Sequence, residues 1–493
     1  MDMRAEFEQL QTQLPGIWRR VRQDPKHPVT VVALPSVSLD LEGMADSENL
    51  NYFEERIFYL FNMLRRPNTH LILVTSHLIP EALISYHLHL LPGVPYSHSR
   101  PRVSSFTTGD FSTRPLAAKL LDRPALQKRV RQAIGPGDAY LNCYTTSQLE
   151  RQVAVSLGIP LMGPHPDHQI YGSKSRSREL FRELDIPCPR GQENLQSFDD
   201  LCGALARLSQ LPGLERAVIK QNYTISGLGN AVLPLRGPET AQQVGARLAG
   251  DVRLGKKLRW DSYLKRFERL GGIVEEHVDG DPCSVQVRIN PLKEVEVVST
   301  HDELKGGGED QNYVGCRFPA YPDALPRLHE YGRRVGQRLC DVGVVGRIDI
   351  DFLAIEGASG TEACALDINL RKSNTTLPLR TLQLLIGGTY DANTGIYIAD
   401  CAEPRYYISS DKLGGGRLLG MLPEDLIDIA TYTGIHYSSA SHTGTVFHML
   451  GGLSESGMVG ATCIERTPRE AENLYRRTRE VLEREFRSYE WMI

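Results

Sequence analysis

Two short segments, GRIDIDFLA and ALDINL, alternate acidic or amide side chains with apolar ones. Side chains alternate faces along a strand, so Asp349 and Asp351 would share one face of the first segment, and Asp367 and Asn369 one face of the second. Carboxylate and amide oxygens are hard ligands that suit Mg²⁺, which leaves positions for phosphate oxygens and water. Two such strands in tandem predict a magnesium site. The alternative, amphipathic strands with solvated salt bridges, would be favoured if only one Asp-x-Asp were present.

Basic and polar residues border these two strands. Arg347 falls on the same face as the first pair of acids, and Arg371 and Lys372 follow the second strand. An arginine beside a metal suits a developing negative charge. The polar loop Ser-Asn-Thr-Thr comes directly after these bases, at residues 373–376.

Two lysines are candidates for holding phosphate. Lys220 ends the apolar run AVI before a loop with Gly227 and Gly229, whose backbone N–H groups could approach a phosphate. The loop leads into AVLPL, a predicted strand, which argues against the Rossmann and Walker loops because both open a helix. Lys174 begins a predicted helix in GSKSRSRELF, and on its own it would be an exposed basic position.

The segment IVEEHVDGD could present a strand edge to a purine. Glu275 or Glu276 and the backbone near Val278 could face an adenine. The edge of the strand offers one backbone N–H and one C=O, which match the hydrogen-bonding pattern of that base. An ordinary hairpin with exposed acids explains the same residues equally well.

The remaining pattern indicates mixed α/β architecture. Buried strands at 28–39 and 69–76 alternate with helical segments such as 51–66, which is typical of a parallel α/β domain ending near residue 170. The Gly-rich stretch HDELKGGGEDQNYVG, residues 301–315, predicts a mobile or ligand-bound loop, or else a solvated surface loop. Near the C-terminus a helix at PEDLIDIATYTG, strands at 443–450 and 458–465, and a final helix capped by Thr467 and Glu470 indicate a smaller α+β unit.

Composition excludes several classes of protein. The 493 residues carry a net charge of −4, which argues against a dedicated nucleic-acid binder. No long apolar run or secretory h-region is present, so we expect no membrane span and a cytoplasmic location. The nine cysteines form no C-x-x-C pair, which predicts reduced, mostly buried thiols and gives no reason to expect zinc.

The order of these features resembles the ATP-grasp superfamily of carboxylate–amine ligases over nearly the whole chain. THDELKGGGEDQNYVGCRFPA, ALDINLRKSNTT and TGTVFHMLGGLSESGMVG resemble the branch that includes the pheganomycin peptide ligase. The resemblance implies an α/β and α+β ATP-grasp fold. It would comprise a pre-ATP-grasp α/β domain (1–170), an ATP-grasp domain (171–405, with a lid at about 190–275) and a small C-terminal α+β domain (406–493).

The resemblance also assigns roles to residues, with ATP and Mg²⁺ as cofactors. It implies three catalytic basic residues, namely Arg347, Arg371 and Lys372. The nucleotide would be bound by Lys174, Lys220, Ser226, Gly227, Gly229, Glu275, Glu276, Val278 and Asp281. The metal ligands would be Asp349, Asp367 and Asn369, and the substrate residues Ser373, Asn374 and Thr375.

Two positions depart from the family pattern. The usual metal glutamate is Asp367 here, one methylene shorter, so the metal would shift or recruit a water. The ribose carboxylate would fall at Asp281 or Pro282, and only Asp281 can serve.

The implied reaction forms an amide between a small carboxylic acid and an amine, such as an amino acid or short peptide, through an acyl phosphate with release of ADP and phosphate. A closed lid would protect the acyl phosphate, and loops 226–230 and 305–308 are the candidates. His442 and His448 are expected to be structural. A phosphotransferase and a nucleotide-binding regulator without turnover are the alternatives. Neither a nucleic-acid nor a membrane partner is expected, and a homodimer is common in the superfamily.

Overall fold

The structure, a computed structural model, describes residues 2–38, 51–224, 227, 229–255, 258–305, 313–357 and 360–489. Within these residues the chain forms three β-sheets that follow one another along the sequence. The polar and basic side chains discussed above lie mainly on the second and third sheets. The first sheet forms part of the wall of a cavity that lies next to these side chains.

The first sheet has four parallel strands in the order β3-β2-β1-β4, which confirms the predicted parallel α/β pattern. The valine- and leucine-rich strands β1 and β2 are buried on both faces, as parallel strands usually are. The segment predicted as a helix at 51–66 is a 3₁₀ helix, Asn51–Arg65. The strands are β1 (Val29–Leu34), β2 (Thr69–Thr75), β3 (Val103–Thr107) and β4 (Asp138–Cys143). The helices are α1 (Met3–Gln11), α2 (Leu14–Gln23), α3 (Glu81–His89), α4 (Tyr96–Ser99), α5 (Leu116–Leu121), α6 (Pro124–Ile134) and α7 (Gln148–Leu157).

The second sheet is antiparallel, in the order β5-β9-β6-β7-β8. Its central hairpin, β6 and β7, is the predicted strand–loop–strand unit that carries Lys220. Ser173 caps the helix that Lys174 opens, because its hydroxyl accepts the backbone N–H of Arg176 at 3.2 Å. The strands are β5 (Gly191–Leu195), β6 (Arg216–Gln221), β7 (Asn230–Pro234), β8 (Arg253–Leu254) and β9 (Gly272–Glu276). The helices are α8 (Lys174–Glu183), α9 (Phe198–Ser209), α10 (Ala241–Asp251) and α11 (Trp260–Leu270).

The third sheet contains the remaining strands of the described chain, in the order β14-β13-β10-β11-β12-β17-β16-β15, with β19 paired to β17 and β18 to β19. Its apolar face packs on α12. The strands are β10 (Asp281–Ile289), β11 (Val295–Lys305), β12 (Tyr313–Phe318), β13 (Gly346–Gly357), β14 (Gly360–Asn369), β15 (Thr389–Asp391), β16 (Ile396–Ile398), β17 (Pro404–Gly414), β18 (Gly444–His448) and β19 (Met458–Glu465). The helices are α12 (Leu325–Asp341), α13 (Thr376–Ile386), α14 (Pro423–Tyr432), α15 (Leu453–Ser456) and α16 (Pro468–Tyr489).

The prediction of a loop over residues 301–315 is wrong at both ends of this range. β11 continues to Lys305 and β12 starts at Tyr313, and the two strands pair. Charged residues fit in this ladder because they find partners: Asp302 pairs with Arg317 across the strands at 3.2 Å. The glycines between the two strands, residues 306–308, lie outside the described residues, as does most of the predicted lid loop there.

The C-terminal elements occur in the predicted order, and they extend the third sheet. β17 spans the predicted boundary at 405/406 and pairs with both β12 and β19. The last helix has the predicted cap, since the backbone N–H of Glu470 donates to the Thr467 hydroxyl at 3.2 Å and that hydroxyl donates to the Glu470 carboxylate at 2.8 Å.

Two predictions from composition can also be compared with the structure. All nine cysteines fall within the described residues, all are free, and seven are buried, which confirms the expected thiols. In the described part of the chain, no helix is both long and apolar enough to span a bilayer.

Candidate active site

The polar face of the third sheet is organised in rows that run across β10, β13 and β14. Asp351 stands opposite Asp367 on β14, and Asp349 stands opposite Asn369. The same register on β10 places Gln286 beside Asp349. The two strands predicted to lie side by side are therefore neighbours, and their oxygens share one face as the alternation requires.

The acidic row is held by a lysine from a different element. Lys174, the first residue of α8, donates its ammonium to Asp367, and both side chains are buried. The Asn369 amide donates to Asp367 at 3.0 Å and to Asp351 at 2.7 Å. Although burial opposes it, the charges of Lys174 and Lys220 lower the pKa of Asp367 to about 2. Both lysines predicted to hold phosphate thus stabilise the charged form of the same carboxylate.

Lys220 is paired with Glu275, a residue predicted to contact adenine. The Lys220 ammonium lies 2.6 Å from one Glu275 oxygen, and Arg178 donates to the other at 2.7 Å. Burial opposes the charge on Lys220, but the Glu275 and Asp367 carboxylates outweigh it and raise the lysine pKa. The Glu275 side chain therefore points toward the lysines, and an adenine would meet the strand through its backbone or through neighbouring residues.

The other predicted nucleotide contacts lie around this hairpin. Glu276 pairs with Arg190 at 2.6 Å, Val278 lies in the link between β9 and β10, and Asp281 is exposed at the start of β10. Gly227 has a φ of +74°, and a Cβ on Gly229 would come within 2.4 Å of Thr224, so both positions require glycine. Ser226 lies outside the described residues.

The polar loop after β14 closes against the sheet face. Thr375 donates to Asp349 at 3.2 Å and accepts from Gln286 at 2.7 Å, and its hydroxyl lies 2.8 Å from that of Ser373. Asn374 turns the other way, and its carbonyl oxygen accepts from Arg56 at 2.7 Å. The structure therefore brings Ser373 and Thr375 to the oxygen rows and directs Asn374 toward the 3₁₀ helix.

This donor set fits a magnesium ion together with phosphate. One oxygen of Asp349 is buried without a hydrogen-bond partner, and burial raises the pKa of Asp349 to about 6. Burial and the nearby Asp367 carboxylate raise the pKa of Asp351 well above its usual range. In the described residues, no group of three or more His, Cys, Asp or Glu side chains is arranged so that it could hold a metal ion by itself. Magnesium often takes only one or two carboxylates and completes its shell with phosphate and water, so the surplus negative charge still suits it.

Basic residues follow in the next row of the same face. Arg347 stands beside Arg288 of β10, and Arg371 comes just beyond β14. Arg371 donates to the side-chain amide oxygen of Asn369 at 2.7 Å, while Lys372 donates to the backbone carbonyl of Cys143. Arg347 donates to Gln383 of α13 at 3.2 Å and leaves one buried nitrogen without a partner. Burial lowers the pKa of Lys372 to about 8.

Sequence reasoning missed four residues of this face and its border. Gln286 and Arg288 occur in SVQVRI, whose alternation matches that of GRIDID, so the same signal was present there. Arg380 and Gln383 could not be found in that way, because they come from a helix that reaches the sheet only in the folded chain.

The histidines expected to be structural have different surroundings. The buried His448 lies 3.1 Å from Asp411, which is 2.7 Å from Arg56, the residue that holds Asn374. His442 occupies a left-handed turn, and its carbonyl accepts from Arg405 at 3.2 Å. His448 is therefore linked to the polar loop through two side chains.

Comparisons with known proteins agree with this architecture. Residues 242–393 match the family model described as IQCH-like, ATP-grasp, and residues 425–478 match the one described as PGM1 C-terminal domain. A biotin carboxylase domain from Hydrogenobacter thermophilus, solved with MgADP, ADP and bicarbonate, is 11% identical with a TM-score of 0.52, covering 90% of this chain and 87% of that one. An N5-carboxyaminoimidazole synthase from Aspergillus clavatus, solved with ADP, is 12% identical with a TM-score of 0.51, covering 94% and 100%. The chain has an ATP-grasp fold.

Two curated relatives extend over most of this chain. An L-propargylglycine--L-glutamate ligase from Streptantibioticus cattleyicolor is 28% identical over 452 residues, covering 88% of this chain and 90% of the relative. The IQ motif-containing protein H of Danio rerio is 24% identical over 442 residues, and the match spans only 42% of that longer protein. The resemblance to ATP-grasp ligases found in the sequence is confirmed by these matches.

Proposed function

We propose that this chain is an ATP-dependent ligase that joins a small carboxylic acid to an amine through an acyl phosphate and releases ADP and phosphate. The observation that carries the proposal is the convergence of Lys174 and Lys220 with two buried aspartates of the third sheet, Asp349 and Asp367, beside a polar loop. The near full-length similarity to a ligase supports the same reaction and favours it over a phosphotransferase or a regulator.

The lysines would bind the nucleotide by exchanging partners. Lys174 and Lys220 hold the Asp367 and Glu275 carboxylates in this structure, and bound phosphates would take over part of that pairing. Gly227 and Gly229 would bring backbone N–H groups close to the phosphates, with Ser226 directly before them in the sequence. The link around Glu276, Val278 and Asp281 would meet the adenosine.

The acidic rows would hold magnesium. Asp349, Asp367 and Asn369 are the proposed ligands, and Asp351 is held close to them by the Asn369 amide. A bound magnesium ion would neutralise phosphate charge and orient the phosphates toward the acid. The side chain of Asp367 is short, and its contact with Lys174 means that it would turn or share its two oxygens when the metal binds.

The basic row and the polar loop would position the acid. Arg371 lies between Asn369 and the cavity, so it can hold a carboxylate at the edge of the phosphate site. The Ser373 and Thr375 hydroxyls lie next to Asp349, where they could donate to the carboxylate or to the oxyanion formed when the amine attacks. Lys372 and Arg347 would add positive charge near that oxygen.

Product analysis tests the proposal. We would incubate the protein with Mg-ATP and pooled amino acids and small acids, starting with L-glutamate and L-propargylglycine because a relative's name contains both. ADP, AMP and new amide masses would be measured together. The expected result is ADP and one new amide in equal amounts, because formation of each acyl phosphate releases one ADP and attack of the amine on it gives one amide.

Matched variants make this result specific. Asp367→Asn should abolish both products, while Asp428→Asn, which changes an exposed aspartate on α14, should leave them unchanged. AMP with pyrophosphate would contradict the acyl-phosphate route. ADP with a phosphorylated acceptor and no amide would favour the phosphotransferase.

A further inference from the structure

The basic row opens into a cavity of about 650 Å³. It lies between β4 and the 3₁₀ helix on one side and the start of β13 and the middle of α13 on the other. Among the described residues that line it, eight are basic and none is acidic: Arg22, Arg65, Arg66, Arg288, Arg347, Arg371, Lys372 and Arg380. A volume of this size is typical of pockets that bind small molecules.

Several of these cations already have a structural task. Arg22 pairs with Glu294 and Arg288 with Glu296. Arg65 donates to the carbonyls of Leu384 and Leu385 at 2.9 Å, where it binds the end of α13. These contacts explain some of the positive charge without a ligand.

Two of the eight cations are placed differently. Arg347 and Arg380 both donate to the same neutral oxygen, the Gln383 side-chain carbonyl, at 3.2 and 2.8 Å. Neither guanidinium has a carboxylate partner among the described residues, and one Arg347 nitrogen is buried with no partner at all. Burial and the neighbouring Arg288 lower the pKa of Arg380, which is the expected effect of positive charge without compensation. Two guanidinium groups directed at one neutral oxygen form a cradle for an anion.

The rest of the wall limits what the anion can be. Trp18, Tyr59, Met63 and Tyr140 give the cavity an apolar side. Arg371 lies at the other end, against Asn369 and the phosphate site. A ligand would therefore have one charged group at Arg371, a short carbon chain, and a second charged group at the Arg347–Gln383–Arg380 cradle.

We propose that the acid substrate is a small dicarboxylate, such as an acidic amino acid, with one carboxylate at Arg371 and the other in the cradle of Arg347, Gln383 and Arg380. The inference rests on the proposed function only for the statement that the carboxylate at Arg371 is the one activated. Binding in the cradle itself requires neither ATP nor turnover. Planar carboxylates match the guanidinium fork, which explains why arginines outnumber lysines here.

Calorimetric titration without nucleotide tests the binding. Glutarate is the dicarboxylate probe, butyrate the matched monocarboxylate, and inorganic phosphate the competing anion. We expect glutarate to bind at least tenfold more tightly than butyrate or phosphate.

Two pairs of variants locate the site. Gln383→Glu would place a carboxylate between the two arginines. It should therefore weaken glutarate binding at least tenfold and raise the melting temperature. The neutral Gln383→Met should weaken glutarate binding less. Arg380→Gln should also weaken binding at least tenfold, and Arg469→Gln, an exposed arginine on α16, should leave it unchanged. A gain in melting temperature with lost binding cannot be explained by misfolding.

The outcomes separate this inference from the ligase proposal. Equal affinity for glutarate and butyrate, or tighter binding of phosphate, would overturn the dicarboxylate. So would glutarate binding that survives both Gln383→Glu and Arg380→Gln. Glutarate binding as expected, in a protein that yields no ADP or amide with any acid, would support the cradle and contradict the ligase instead.

Discussion

The two ends of the polar face of the third sheet differ in how their positive charges are balanced. At the acidic end, Lys174 and Lys220 are each paired with a buried carboxylate. At the basic end, Arg347 and Arg380 share one neutral amide oxygen. Asp349 at the acidic end and Arg347 at the basic end lie two residues apart on β13. The two lysines and Arg380 come from α8, β6 and α13.

The difference indicates how each end would bind its ligand. Buried ion pairs satisfy their own charge, and a ligand there must exchange with an existing partner. Arg347 and Arg380 are half-buried and have no carboxylate partner among the described residues. Cations in such surroundings raise the free energy of the empty protein, and an anion would relieve that cost directly. The acidic end suits a metal–phosphate complex, which brings both signs of charge, and the basic end suits a plain anion.

The largest expected effect comes from breaking the acidic end at Asp367. Asp367→Asn removes a proposed metal ligand and the carboxylate to which the buried Lys174 donates. ADP formation should fall by at least about a hundredfold, the size of effect seen when one group that stabilises developing charge is lost. Rates measured against Asp428→Asn check this prediction. A loss below tenfold would mean that the phosphate site lies elsewhere.

A stability comparison separates paired from unpaired cations. Lys220→Met leaves the Glu275 carboxylate with one fewer partner and should lower the free energy of unfolding by about 3 kcal/mol. Arg380→Gln removes an uncompensated charge and should change it by less than about 0.5 kcal/mol, or raise it. Urea unfolding of both variants, with the exposed Lys128→Met as control, measures this. Equal losses of unfolding free energy in the two variants would show that paired and unpaired cations do not differ in this way.

Stability should also depend on pH through Lys372. Its pKa is about 8 in the folded protein, below the ordinary 10.5, so the folded state binds fewer protons than the unfolded state between these values. The unfolding free energy therefore rises with pH over this window, and Lys372→Met should remove that rise. Urea unfolding at pH 7.5, 8.5 and 9.5 compares the two proteins. If the unfolding free energies of the two proteins change with pH in the same way, the pKa of Lys372 is not lowered in the folded protein.

The smallest effect is expected at the rim of the cavity. Arg22 is 58% exposed and paired with Glu294, so its charge is already balanced in solvent. Arg22→Gln should change glutarate affinity less than about twofold, because exposed charges are screened. A larger change, measured by the same titration, would extend the binding site to the rim.

Much of this arrangement was predictable because it is local in sequence. Alternation along GRIDID and ALDINL correctly placed the acids on one face, and the capping pattern at Thr467 correctly located the last helix. Strand alternation and capping depend on neighbouring residues, so a single sequence carries them.

The rest depends on contacts between distant segments. The strand ends around residues 301–305 are predicted as loop from the sequence. The partners of His301 and Asp302, such as Tyr407 and Arg317, are not neighbours in sequence. The inward pairing of Glu275 depends on Arg178 of α8, and the cradle depends on Gln383 of α13. Such pairings exist only after the sheets and helices pack.

The measurement that tests the central claim most directly follows oxygen from the acid. The acid identified in the pooled assay would be labelled with ¹⁸O in its carboxylates and turned over with Mg-ATP and its amine partner. Phosphate and nucleotide would then be examined by mass spectrometry. An acyl phosphate leaves one ¹⁸O in the released phosphate, and we expect one labelled phosphate per amide. Label in AMP, or unlabelled phosphate beside ADP and amide, would contradict the account.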